Sequence, residues 1–336
     1  MEDLVDRFRL TKGPFANLLE PNKMPNRLPL LLALILLLIG EPAGANKRIA
    51  LSFDDVPRKA GAFFTPAERS QRLIAALRQA GVRQAVFFVN PGHLDQPDGA
   101  GGEARIMAYV AAGHLIANHS FSHPHLRQFS AADYLADIDK AEAWLKSRPG
   151  YRPLFRFPYL FEGGDDKAKR DAVRAGLASR GLRNGYVTAD GNDWHLEQLT
   201  IDAAKAGKPM DMKALRRLYL QMQLSAVEYH DRMARTTLGR SPAHVLLLHE
   251  TDLAALFIGD LVTELRREGW TIITADAAYR DPLGKAFPDV PFTSGTLTGS
   301  LAWEKNIEPP LSPLWMGESV VTLLFERRVL KEPAKP

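Results

Sequence analysis

Ile49-Ala50-Leu51-Ser52-Phe53-Asp54-Asp55 is an apolar run that ends in two adjacent carboxylates. Its length and near-continuous apolar character are those of a strand covered on both faces. Two carboxylates have no reason to sit at the end of a buried strand unless something there neutralises or uses them. Further along, His119-Ser120-Phe121-Ser122-His123 sets two imidazoles four residues apart, one turn if the segment is helical. One carboxylate and two imidazoles make three ligands for a metal that keeps an open position, the pattern of a catalytic zinc site. The second carboxylate is then free to act as a base toward water.

Working outward, short apolar runs alternate with helical stretches, the signature of βα units. Predicted strands are 48–53, 84–89, 114–118, 153–157, 184–189, 244–248 and 270–274. Thr65-Pro66-Ala67-Glu68 opens the first helix with an N-cap, a proline at the first helical position and a carboxylate three residues on. Ser130 caps a second, Asp165 opens a third that ends at Gly181, and Thr251 caps one running from Asp252 to Gly269. Residues 196–243 are long for one crossover and hold a helix around 211–236; the tail 277–336, with Trp303 and Trp315, reads as a loop-rich cover across the barrel with one strand over Val320–Phe325.

This pattern predicts an α/β fold, a distorted (β/α) barrel of about seven parallel strands over residues 46–276, with 196–243 as a helical insertion. Functional groups of such barrels gather where strands end. Asp54 and Asp55 follow the first strand and His119 and His123 the third. Arg156 and Tyr159 are at the end of the fourth, Asp193 and Trp194 follow the fifth, and His249 ends the sixth. Five strand ends that converge on one mouth carry more weight than any single motif.

The bulk numbers bound the rest. A chain of 336 residues with 46% apolar and 24% charged residues is long enough for a large buried core. The net charge of +4 is small and its Lys and Arg are dispersed, so no nucleic-acid partner is expected. The absence of cysteine removes disulfides and thiolate chemistry together. Leu28 to Gly40 is uncharged but short for a membrane span, and Ala43-Gly44-Ala45 follows it. Residues 1–45 therefore read as an N-terminal extension and secretory signal, with Met24 as the expected start and Asn46 near the mature N-terminus. A secreted or periplasmic protein without stable membrane association is expected; the alternative is an uncleaved anchor.

Ser52-Phe53-Asp54-Asp55-Val56-Pro57, His119-Ser120-Phe121-Ser122-His123, Arg156-Phe157-Pro158-Tyr159, Asp190-Gly191-Asn192-Asp193-Trp194 and Leu246-Leu247-Leu248-His249 resemble, in order, the five motifs of the polysaccharide deacetylases, carbohydrate esterase family 4. Ala85-Val86-Phe87-Phe88-Val89 is similar to that family's second strand. The chain departs from the pattern at Val56 and Leu160, which stand where glycines are usual, and in its long segment before the sixth strand.

The resemblance implies a hydrolase that removes acetyl groups, N-acetyl first, from an acetylated glycan. Asp55, His119 and His123 would hold a divalent metal, zinc by default, and Asp54 would be the base. Arg156 would pair with Asp54, and the backbone N–H of Tyr159 would face the oxyanion. His249 would be the acid, held by Asp193, while Leu247 and Trp194 would wall the acetyl slot. Among other residues, His125 is a weaker alternative ligand and His114 reads as buried and hydrogen-bonded. His93, His195, His230 and His244 have no partner in the motifs and read as structural or exposed, and Asp252 as serving the last helix's N-terminus. The alternative to an enzyme is a catalytically inactive glycan-binding member of the same fold.

Overall fold

The computed structural model describes residues 47–313 and 317–333. The expected signal segment, its cleavage site, Met24, Asn46 and Trp315 lie outside the described residues. Strand β1 (Arg48–Val56) is flanked by β2 (Val86–Val89) and β8 (Ala243–His249). Outward from β2 come β3 (Leu115–Asn118), β4 (Tyr151–Phe155) and β6 (Arg183–Asn184), and beyond β8 lies β7 (Ala189–Asp190). A further strand, β9 (Thr271–Ile272), pairs with the start of β1, and every pairing in this sheet is parallel.

The two ends of that order, β6 and β7, are separated by only residues 185–188. Five Cα steps reach at most about 18 Å, whereas a flat sheet of seven strands is roughly 29 Å wide. The sheet must therefore curl until its edges approach, which gives the barrel expected from the sequence. The predicted single strand 184–189 is instead two short strands on opposite edges. Its middle cannot join one ladder, because the carbonyls of Gly185 and Tyr186 accept from the Arg156 guanidinium. A Cβ on Gly185 would also stand 2.7 Å from the Phe88 ring, so only glycine permits the crossing.

Side chains alternate across the curl as the twofold period of a strand requires. Ile49, Leu51 and Phe53 pack outward with Phe87, Ile116, Leu246 and Leu248, under helices α1 (Pro66–Gln79), α2 (Gly102–Ala111), α3 (Ala131–Leu145) and α7 (Asp252–Arg267). Ala50 faces inward with Val86, Phe88, Leu115, Ala117, Leu154 and Val245. The inner cluster is sealed by Tyr279, Leu283, Leu297 and Leu301 from the segments after β9. Among the helix ends, Thr65 and Glu68 form the expected capping box, each side chain bonded to the other's backbone N–H, a feature that contributes about 1 kcal/mol.

Residues 193–238 form two helices, α5 (Asp193–Lys205) and the long α6 (Met212–Leu238), after α4 (Lys167–Ser179). The tail departs from expectation. Val320–Phe325 is not a strand: Glu318–Leu324 is a helix that runs on as a π turn over Phe325–Val329. Its apolar residues Val321, Phe325 and Val329 recur at every fourth position and are buried together against the outer core, a helical spacing. Two strands were not expected, β5 (Phe161–Gly164) and β10 (Thr293–Ser294), which pair antiparallel. Among the described residues no helix is long and apolar enough to cross a membrane.

Candidate metal centre and active site

The inner parity of the strands, continued to their carboxyl ends, builds the site. On β1 it runs Ala50, Ser52, Asp54; on β8 it runs Val245, Leu247, His249; and Asp54 and His249 are direct register partners. Leu115 and Ala117 of β3 lead to His119, and Leu154 of β4 leads to Arg156. Asp54 is thereby buried, and Arg156 Nη1 lies 3.0 Å from both of its carboxylate oxygens. The rest of that guanidinium bonds Ser52 Oγ at 3.3 Å, Tyr279 Oη at 3.0 Å and the Gly185 carbonyl. A buried ion pair is tolerated when its remaining donors are satisfied in this way.

Asp55, of opposite parity, turns with φ 64° and lies beside the two imidazoles. Its Oδ1 is 3.0 Å from His123 Nε2 and 3.4 Å from His119 Nε2. His119 Nδ1 is 2.9 Å from the Arg156 carbonyl. A carbonyl only accepts, so Nδ1 carries the proton and Nε2 presents a lone pair toward Asp55. Asp55 Oδ1 is itself buried without a hydrogen-bond donor among the described residues. Acceptors of three residues thus face one point, and their ligand atoms all lie within 4.8 Å of one another. Such a set suits a divalent cation with N and O ligands.

The two histidines do not share a helix. Ser120 and His123 have φ of 69° and 57°, which no helix allows. The turn is held by polar side chains: Asn118 Oδ1 accepts from Ser120 N at 2.7 Å, Ser120 Oγ accepts from His123 N at 3.1 Å, and Asp137 of α3 accepts from Phe121 N and Ser122 N at 2.8 and 3.1 Å. Asp137 escaped the sequence reading because nothing local marks it, whereas Asn118 directly precedes His119. Of the eight non-glycine residues with positive φ among the described residues, Asp55, Ser120, His123, Tyr159, Leu160 and Asn192 all fall in these motif segments. Strain of about 1–3 kcal/mol per residue persists where function requires it. Leu160, at φ 51°, occupies a position where glycine would be relaxed.

Across the cavity, His249 Nδ1 is 2.7 Å from Asp193 Oδ1, and the His249 N–H donates to Asp193 Oδ2 at 2.8 Å. Burial alone would lower the imidazole, but the charge and hydrogen bond of Asp193 raise it to about 9. A cavity of about 390 Å³ is lined by Asp54, Asp55, His119, His123, Tyr159, Trp194, Leu247 and His249, with Arg156 and Asp193 buried behind it. All ten residues singled out in the sequence therefore meet at one place. The cavity also takes in Arg58 and Asp190. Asp190, the first acid of Asp190-Gly191-Asn192-Asp193-Trp194, is pushed up by burial and accepts from Asn192 N at 2.9 Å.

Residues 42–179 match the family described as polysaccharide deacetylase. That segment resembles the polysaccharide deacetylases. The matched segment supplies Asp54, Asp55, His119, His123, Arg156 and Tyr159, while the fold adds Asp193, Leu247 and His249 from beyond it. The chain is 33% identical over 113 residues to a chitin deacetylase of Colletotrichum lindemuthianum, which spans 33% of this chain and 42% of that protein. It is 26% identical over 250 residues to a peptidoglycan-N-acetylglucosamine deacetylase of Listeria monocytogenes, 74% of this chain and 42% of that protein. The chain thus spans less than half the length of these curated relatives. Among solved structures, a family 4 carbohydrate esterase of Streptomyces lividans in complex with acetate aligns at a TM-score of 0.45 and 24% identity, over 68% of this chain and 92% of that one.

The remaining histidines of the barrel separate cleanly. His125 lies against Tyr159 and Phe161 and is not part of the ligand cluster. His114 is buried, accepts from Ala85 N at 3.2 Å and is lowered to about 4 by burial. Three of those read as structural or exposed make structural hydrogen bonds away from the cluster. His93 bonds the Pro57 carbonyl, His195 bonds Thr322 Oγ1, and His244 bridges Thr188 and Asp231. Both ring nitrogens of His230 are buried without a side-chain hydrogen bond among the described residues. Asp252 does not cap its own helix; its Oδ2 accepts from Phe63 N and Phe64 N, and Glu197 takes the helix's first N–H groups instead.

Proposed function

We propose that the protein is a metal-dependent carbohydrate deacetylase, which hydrolyses an acetyl group, N-acetyl first, on a polysaccharide or oligosaccharide. The observation that carries this reading is the set of facing acceptors on Asp55, His119 and His123, next to the Arg156-held carboxylate of Asp54 and opposite the Asp193-held imidazole of His249. A divalent cation, zinc by default, held by Asp55, His119 and His123 would polarise the acetyl carbonyl and lower the pKa of water from 15.7 to about 7.

Asp54 takes the proton of the attacking water. Arg156 fixes the orientation of that carboxylate and balances its charge, and general-base help of this kind contributes roughly 10²–10⁴ in rate. The backbone N–H of Tyr159 faces the developing oxyanion. His249, charged at neutral pH, gives its proton to the departing amine, and Asp193 keeps its other nitrogen engaged. Leu247 and Trp194 flank the acetyl methyl. The leader-like Leu28–Gly40 supports action on an exported glycan, which N-terminal sequencing of the native protein tests: a terminus near Asn46 is expected, and one at Met1 contradicts it.

Acetate release from acetylated chitin and peptidoglycan oligomers by zinc-loaded protein tests the activity. Release is expected, with a fall of about 10²–10⁴-fold in Asp54→Asn. No release from any acetylated glycan by protein that binds them overturns the enzymatic reading in favour of a glycan-binding role.

A further inference from the structure

A second cavity, of about 220 Å³, adjoins the first, since both are lined by Asp55 and Arg58. Lys59, His93, Gln96 and Asp98 complete its polar wall. Nothing in the deacetylation chemistry uses it.

Arg58 sits on the wall between the two. Its Nη1 donates to Asp55 Oδ2 at 2.8 Å, on the far side of that carboxylate from the histidines. Its Nε and Nη2 make no hydrogen bond to the described residues. The guanidinium has five donors in a rigid fork, so an edge of two parallel N–H groups is left over, the geometry that binds a carboxylate bidentately.

The backbone beneath is fixed by a buried charge network. Arg58 N donates to Glu250 Oε2 at 2.9 Å, while Arg69 donates to the carbonyls of Arg58 and Lys59 at 2.7 and 2.8 Å. Arg69 is in turn 3.7 Å from Glu250 and 3.5 Å from Asp252, and Tyr109 Oη donates to Glu250 at 2.8 Å. Arg69, Glu250 and Asp252 are all essentially inaccessible. A surface arginine that only balanced Asp55 would not need its main chain clamped at both ends. A recognition group does, because pre-organisation lowers the entropy lost on binding.

We infer that this side cavity receives a carboxylate carried by the sugar next to the acetylated one, so that the preferred substrate is an acidic glycan. The inference rests on the deacetylase reading and deepens it. Arg58 reads the carboxylate through its free edge, and exposed Lys59 adds attraction at longer range. Asp98, the other acid of the lining besides Asp55, opposes it.

The test varies the substrate and leaves the site intact. Acetate release by zinc-loaded protein is compared on oligosaccharides alternating N-acetylglucosamine with glucuronic acid and on the same oligosaccharides with carboxyls reduced to alcohols. A muramic acid disaccharide, lactyl carboxyl free or amidated, separates a uronate from an ether-linked acid as the source. Charged members are expected to have KM about 10-fold lower, as for a hydrogen bond to a charged group, with kcat little changed and the advantage shrinking in high salt. Compared at saturating zinc, Arg58→Gln should erase the advantage, Arg58→Lys should keep part of it, and Asp98→Asn should enlarge it. Equal KM for charged and neutral members overturns the inference while leaving the deacetylase reading in place, as does an advantage that survives Arg58→Gln. If no acetate is released from any of them, the deacetylase reading fails. Binding of the same pairs to zinc-loaded Asp54→Asn protein then decides the subsite: a preference for charge that Arg58→Gln removes supports it, and no preference overturns it.

Discussion

Asp193 grips His249 twice, through the imidazole Nδ1 at 2.7 Å and through the backbone N–H at 2.8 Å. The first contact fixes the tautomer and the second fixes the ring's position relative to the strand, so Nε2 is left for the cavity. Charge and hydrogen bond together outweigh burial and bring the imidazole to about 9. The imidazole is therefore protonated at neutral pH.

The sign of the pH dependence follows. Because the pKa in the folded protein is raised, the protonated form is complete near neutrality and is lost as pH rises through about 9. In a pH series of kcat, an alkaline limb near 9 is expected. Asp193→Asn removes the group that raises the pKa and leaves burial, which lowers it, so the limb should move by more than one unit toward acid and kcat should fall about 10²-fold or more. An unmoved limb contradicts the pairing of these residues.

Asp54 and Arg156 are a buried pair, and breaking such a pair from one side costs about 3–5 kcal/mol. Arg156→Met should therefore lower stability by that amount in urea unfolding, since the Asp54 carboxyl is left buried without its partner. Asp54→Asn, which keeps an oxygen for Arg156, should lose about 10²–10⁴ in kcat at a smaller cost in stability. Equal stability of Arg156→Met and the parent protein contradicts this.

The turn that brings His119 and His123 together depends on Asp137, which bonds the N–H groups of Phe121 and Ser122 and the Ser122 hydroxyl. Asp137→Ala should leave the far-ultraviolet circular dichroism unchanged and weaken zinc binding about 10–100-fold, the range found for groups that orient ligands. Calorimetric zinc titration checks it, and an unaltered affinity shows that the turn holds itself.

Phe87 is stacked between Phe53 and Tyr109, with ring centroids 4.9 and 3.9 Å apart. Phe87→Ala should cost about 3–5 kcal/mol, measured by urea unfolding. Because Phe53 adjoins Asp54, part of that loss should also appear as weaker zinc binding.

The barrel was legible because its strands are apolar runs bounded by helix caps, and Thr65, Ser130 and Thr251 cap helices as their neighbours in sequence dictate. The ten site residues were legible because they follow those runs. What stayed hidden is set by contacts distant in sequence. Gly185 splits a strand because Arg156 claims nearby carbonyls, and Val320–Phe325 takes the helical option of a short apolar run because the outer core receives every fourth residue. Glu197 caps a helix that begins 55 positions later at Asp252. Arg58 carried a signal that was passed over: a cation three residues after a metal-ligand candidate.

Anomalous diffraction at the zinc edge, on crystals of the protein grown with zinc, tests the central claim most directly. One strong peak is expected at about 2.0–2.2 Å from a carboxylate oxygen of Asp55 and from Nε2 of both His119 and His123. A cavity with no peak between these three residues, in protein that still releases acetate from an acetylated glycan, would contradict the account.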